Sequence, residues 1–234
     1  MITPDQNGRL VIGHVGHGKM NLLYHLHKDQ LESLGYDSVY LETPVADVCK
    51  NIDWKNILQQ PPSNLSRITF QELELLSRLT KNRTNEEIKL VYSIDKDMDT
   101  PYELLCQSYS VEYPKTHIEE FYHLIRPILK NTKAYYNRPR PNQLAKYLDI
   151  DIQIILTDTH HSASYPSGHT VYSKLVSLIL KDKYNQIDQS KLDNIVNQTT
   201  KARMLQGVHY QSDCDASLIF STSLFNQLKG IFNE

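Results

Sequence analysis

The sequence predicts an all-α fold, a helical bundle carrying a small α/β-like N-terminal extension. Three observations lead there. From about Ser66 onward apolar residues recur at helical spacing, as in Phe70, Leu73, Leu76 and Leu79. Loops rich in Pro, Asn, Asp and Ser separate these stretches. The region shows no internal repeat and no low-complexity tract.

The elements follow in order. Residues 9–42 read as a β-α-β unit: a short apolar run from Arg9 to Val15, a helix over Met20 to Leu34 ended by Gly35, and a strand from Asp37 to Leu41. Residues 43–64 read as a connector broken by Pro44, Pro61 and Pro62. Helices are then expected over Ile68–Leu79, His117–Leu129, Thr170–Lys181, less regularly Lys191–Leu205, and Asp213–Phe232, where Ala216, Ile219, Phe220, Leu224 and Leu228 mark an apolar face. The expected division is an extension over 1–50 and a helical domain over 51–234.

Bulk properties narrow the function. The chain has 234 residues, 40% hydrophobic and 22% charged, with a formal net charge of −2. That balance gives no general affinity for nucleic acid or anionic membranes. No run approaches the roughly 20 apolar residues of a membrane span, and Met1–Gly8 lacks the apolar stretch of a secretory signal. Cys49, Cys106 and Cys214 form neither a disulfide framework nor a zinc spacing. Asp149, Asp151 and Asp158 make no tight carboxylate cluster, so neither a metal nor another cofactor is expected. The expected location is cytoplasmic.

Three segments carry chemistry: Lys133-Ala-Tyr-Tyr-Asn-Arg-Pro-Arg140-Pro141, Tyr165-Pro-Ser-Gly-His-Thr170, and Arg203 followed by His209 and Asp213. Lys133, Arg140 and Arg203 are three cations, and arginine forks match phosphate oxygens. Ser167-Gly168, just before a helical stretch, offers N–H groups at a helix N-terminus, a natural anion site. His209 and Asp213 are four apart and share a face if both are helical. The carboxylate then accepts from Nδ1–H and leaves Nε2 free to attack phosphorus. His169 remains as the acid for the leaving oxygen. Tyr135 and Tyr136 read as packing residues.

These residues resemble the type 2 phosphatidic acid phosphatase superfamily. Within it they look most like the soluble bacterial class A non-specific acid phosphatases, through Tyr135–Pro141, Ser164–Thr170 and the Gln59-Gln-Pro-Pro62 stretch. The resemblance covers roughly residues 58–234. It implies that Lys133, Arg140 and Arg203 bind phosphate with help from Ser167 and Gly168. It also implies that His169 is the acid, His209 the nucleophile and Asp213 its orienter. It implies metal-independent hydrolysis of a small phosphorylated metabolite, such as a nucleotide or sugar phosphate, in an all-α bundle, and homodimers are common in that family. The superfamily also contains vanadium-dependent haloperoxidases, an alternative activity for the same cradle. A phosphate-binding protein without catalysis is a further alternative. One departure is Ala202, where the third motif usually has Ser. Another is that residues 1 to about 50 have no counterpart in that class; within them Gly13-His-Val-Gly-His-Gly18-Lys19 fits a phosphate-loop pattern in which Met20 replaces the magnesium-binding Ser or Thr. It reads as a decayed fragment or a structural cap.

Overall fold

The computed structural model describes residues 10–11, 38–39, 43–157, 159–160 and 162–232. At the N-terminal end, β1 (Leu10–Val11) pairs in parallel with β2 (Ser38–Val39). A parallel pair is what a β-α-β unit requires. The expected helix between them, the phosphate-loop-like Gly13–Lys19 and Met20 lie outside the described residues.

The rest is helical: α1 (Trp54–Ile57), α2 (Arg67–Lys81), α3 (Asn85–Lys96), α4 (Thr100–Ser108), α5 (Lys115–Tyr136), α6 (Pro141–Ala145), α7 (Gly168–Lys183), α8 (Gln189–Leu205) and α9 (Gln211–Leu228). Single 3-10 turns cover Asp47–Cys49 and Lys229–Phe232. Short polar residues start several helices. Ser66, Thr84 and Asp188 accept from backbone N–H groups of their own first turns, and Glu87 closes a capping box on Thr84.

Helix α7 lies at the centre, packed against α5, α8 and α9. The main core joins Phe121, Ile125 and Leu129 of α5 to Val171, Leu175 and Ile179 of α7 and Phe220 and Leu224 of α9. Val45, Cys49 and Ile52 already belong to this core, and Thr43 pairs both its backbone groups with the Asn131 side chain. The helical body therefore takes in chain from Thr43 onward. Trp54 meets Tyr135 and Tyr136 edge-on, and the Tyr136 hydroxyl donates to the Leu58 carbonyl at 2.6 Å. The aromatic pair thus anchors the connector, which is the packing role expected of it.

Two expected faces are rotated. On α2 the buried residues are Thr69, Glu72, Leu73, Leu76 and Thr80, while Phe70 is 37% exposed. On α9 Ile219 is 62% exposed, and Ser217 and Ser221 turn inward. Their hydroxyls donate to the Asp213 and Ser217 carbonyls one turn back, which satisfies them in the core. Such small side chains let α9 lie close to α7.

Candidate active site

The first segment is built at the end of α5. The helix runs seven residues past its expected end at Leu129, which places Lys133 on the buried face one turn beyond it. Asn137 then stops the helix in the left-handed region at φ 45°, its N–H bonded to the Lys133 carbonyl at 3.0 Å. The chain leaves as Arg138-Pro-Arg140, and Pro141 opens α6 while Gln143 Oε1 accepts from the Arg140 N–H at 2.8 Å.

The second segment opens α7. Ser167 is its N-cap, accepting from Thr170, while its own N–H is taken by Ser217 Oγ at 2.8 Å. What this turn offers an anion is therefore the first-turn N–H groups of Gly168 and His169, which have no intrahelical acceptor. A Cβ on Gly168 would meet only Leu129 at 3.7 Å and the Lys133 stem at 4.0 Å, ordinary contacts. Packing does not demand glycine there, and the same distances show that the first two segments meet.

The third segment corrects one part of the sequence reading. His209 is not helical; it precedes α9. Its closeness to Asp213 comes from the cap instead. Asp213 Oδ2 accepts from the Tyr210 N–H at 3.1 Å, which folds the first turn back onto His209. Gly207, at φ 82°, makes the turn from α8; a Cβ there would stand 2.9 Å from Ile152. Ala202, at the departure from the usual motif, is buried in an apolar cluster with Val91, Ile94, Ile155 and Leu205.

The three segments converge. Lys133 Nζ donates to the Ala163 carbonyl at 2.7 Å. Arg140 donates to the carbonyls of Ser162 at 2.8 Å and Val208 at 2.9 Å, and its Nη1 lies 2.8 Å from Nε2 of His209. Because a guanidinium only donates, Nε2 is the acceptor, and Nδ1–H donates to Asp213 Oδ2 at 3.2 Å. Arg203 Nη1 donates to Asp95 at 2.8 Å, while its Nε is buried without an acceptor among the described residues. Lys133, Arg140, Arg203 and His209 are all buried. The His169 and Asp95 side chains keep 17% and 12% of their exposure, so the opening lies on their side.

Arg138, Glu72 and Asp95, which the sequence reading gave no role, complete the site. Arg138 Nη1 donates to Asp213 Oδ1 at 2.6 Å, its Nη2 donates to Glu72 at 3.1 Å, and its guanidinium stacks 3.8 Å from the Tyr210 ring. Asp95 accepts from Arg203 and from the hydroxyls of Thr157 and Thr159, and stands 3.9 Å from His169 Nε2. Lys133, Arg138, Arg140 and Arg203 thus stand with the carboxylates of Glu72, Asp95 and Asp213, an excess of positive charge that suits an anion.

The protonation states follow. Burial lowers His209 well below its usual value, with Arg140 adding to this and Asp213 opposing it, so its ring is neutral. Burial would raise the Asp213 carboxyl, but Arg138 and the His209 bond outweigh it and hold it ionised. Burial also acts upward on Asp95, and the bonds from Thr159, Arg203 and Thr157 bring it below the usual carboxylate range. His169 is lowered to about 3 by burial and by Arg203, opposed by Asp95. Burial, with Arg140 next, lowers Lys133. Burial and Arg203 lower Arg140 to about 9. Cys214 is pushed up to about 12 by burial, which makes it an inert core thiol.

Comparison with known proteins identifies the segment that holds the site. Residues 121–232, which hold all three segments, match the PAP2 superfamily. They form a PAP2-superfamily domain. The non-specific acid phosphatases of Salmonella typhi and Salmonella typhimurium (strain LT2) are 33% and 32% identical to the chain over 101 residues, 43% of this chain and 40% of each relative. The chain thus matches less than half the length of these curated relatives. Among solved structures, a transmembrane PAP2 type phosphatidylglycerolphosphate phosphatase from Bacillus subtilis superposes with a TM-score of 0.50 at 17% identity, covering 72% of this chain and 88% of that one. That likeness is one of fold, and the PAP2 fold is all-α as expected. Among the described residues, no helix is long and apolar enough to cross a membrane.

Proposed function

We propose that this PAP2 domain hydrolyses small phosphomonoesters through a phosphohistidine at His209, without a metal. One observation carries the reading: His209 Nε2 faces Arg140 at 2.8 Å while its Nδ1–H is held by Asp213, a neutral imidazole aimed among fixed cations.

Lys133, Arg140 and Arg203, with the N–H groups of Gly168 and His169, hold the three non-bridging oxygens. Phosphoryl transfer needs positioning and charge neutralisation above all. Nε2 forms the N–P bond as the ester P–O bond breaks, and His169 protonates the departing oxygen. Water then attacks phosphorus, His169 takes its proton, and the N–P bond breaks to release phosphate. Asp213 stabilises the charge that His209 gains in the first step. Before substrate arrives His169 is neutral above about pH 3. A bound phosphate dianion adds negative charge beside it and raises its affinity for a proton, so activity peaks on the mildly acidic side.

A panel of phosphomonoesters assayed with and without EDTA tests this reading. Turnover of nucleotides, sugar phosphates or p-nitrophenyl phosphate that survives EDTA and is blocked by vanadate supports it. Absence of turnover across the panel, or peroxide-dependent halide oxidation with added vanadate, overturns it.

A further inference from the structure

Asp95 belongs to none of the three segments, yet its carboxylate stands beside Arg203 and His169. It lies near the end of α3, on the side marked by Ile88 and Val91. Its Oδ1 accepts from Arg203 Nη1 at 2.8 Å, from the Thr157 hydroxyl at 3.0 Å and from the Thr159 hydroxyl. The same oxygen stands 3.9 Å from His169 Nε2, too far for a hydrogen bond but close enough to favour a charged imidazole. Asp95 and His169 also keep some exposure, 12% and 17%, whereas Lys133, Arg140, Arg203 and His209 are buried.

The groups acting on His169 come from four parts of the fold: Arg203 on α8, Arg140 before α6, Lys133 on α5 and Asp95 on α3. The first three oppose protonation, and Asp95 favours it. An acid placed among three cations holds its proton more tightly when negative charge stands by it. The bound dianion supplies part of that charge, and Asp95, 3.9 Å from the ring, adds to it. The same carboxylate engages Nη1 of Arg203 and so competes with the anion for that donor.

We infer that Asp95 is a positioning residue that strengthens the hold of His169 on its proton once substrate is bound and fixes the Arg203 fork, weakening anion binding in exchange. This rests on the phosphatase reading above.

The test compares wild type with Asp95→Asn, which keeps shape and an acceptor oxygen, and Asp95→Glu, which keeps charge. Asp95→Ser is a second neutral variant in case the asparagine protein does not fold. The first readout needs no turnover: the His169 ring resonance, assigned with His169→Asn, is titrated by NMR in saturating inorganic phosphate. The neutral variants should lower its midpoint by about one pH unit or more, and the glutamate variant should restore most of it. The second readout is kcat against pH. The neutral variants should move the alkaline limb to lower pH. They should lose on the order of tenfold in kcat near pH 6.5 on an alkyl phosphate, lose much less on p-nitrophenyl phosphate, and bind phosphate no more weakly than wild type. An unchanged His169 midpoint in a folded neutral variant overturns the inference. So does an equal loss on both substrates with an unmoved limb, which marks a purely structural role. Failure of wild type to turn over any phosphomonoester would instead overturn the phosphatase reading, and the NMR titration still decides the Asp95–His169 coupling.

Discussion

Asp213 Oδ2 accepts from His209 Nδ1–H at 3.2 Å and from the Tyr210 N–H at 3.1 Å, so one oxygen both starts α9 and sets the His209 ring. Replacing Asp213 with Asn puts an amide where an ionised acceptor is needed and removes the charge that balances the imidazolium. We expect kcat to fall on the order of 10³-fold or more. Steady-state kinetics check the rate, and thermal unfolding separates it from loss of the cap.

The other oxygen of Asp213 depends on Arg138, which also reaches Glu72. Arg138→Met leaves two buried carboxylates facing each other without their shared cation. Breaking such a pair costs about 3–5 kcal/mol, measurable as a lower midpoint in urea. The doubly substituted Glu72→Gln, Arg138→Met protein should recover part of that loss, because one orphaned charge is removed with it.

Stability should fall steadily as the solution is acidified from neutral. His209 and His169 have lowered proton affinity when folded, so below about pH 6.5 the unfolded chain binds protons that the native chain does not. Each such proton removes about 1.4 kcal/mol per pH unit. Asp213 and Asp95 act in the same direction lower down, since their contribution is present above about pH 4 and is lost as the native carboxylates protonate. Urea unfolding between pH 7 and 4 should show this decline, with a flatter slope for His209→Asn and His169→Asn. A pH-independent midpoint would mean that the two rings are not held neutral.

Gly207 has to remain glycine. At φ 82°, with Ile152 standing 2.9 Å from any added Cβ, Gly207→Ala should cost about 1–3 kcal/mol. Because the same turn presents His209, kcat should drop as well, whereas Gly168→Ala should fold normally.

Much of this site is written in short-range sequence. Lys133 to Arg140, Pro166 to Thr170 and His209 to Asp213 each sit within one turn or one loop, so spacing alone places their groups near each other. Arg138, Glu72 and Asp95 were not legible in the same way, because their partners lie 66 to 108 residues away. A lone carboxylate on an amphipathic helix ordinarily faces water. A weak signal existed in phase: Asp95 lies four residues after Val91 and seven after Ile88, and Glu72 lies four before Leu76, so both fall on apolar faces. The helical placement assumed for His209 failed for the converse reason. A cap can bring residues four apart together as well as a helix can, and spacing does not separate the two. Buried faces differ from the apolar pattern where small polar residues take apolar places, as Ser217 and Ser221 do on α9.

The most direct measurement is capture of the covalent intermediate. Brief reaction with a ³²P-labelled phosphomonoester followed by a denaturing quench should leave label on the protein that is lost in acid, kept in alkali, and mapped to the peptide containing His209. It should be absent from His209→Ala, whose turnover should be nearly abolished. Label on another residue, acid-stable label, or wild-type turnover in His209→Ala would contradict the account.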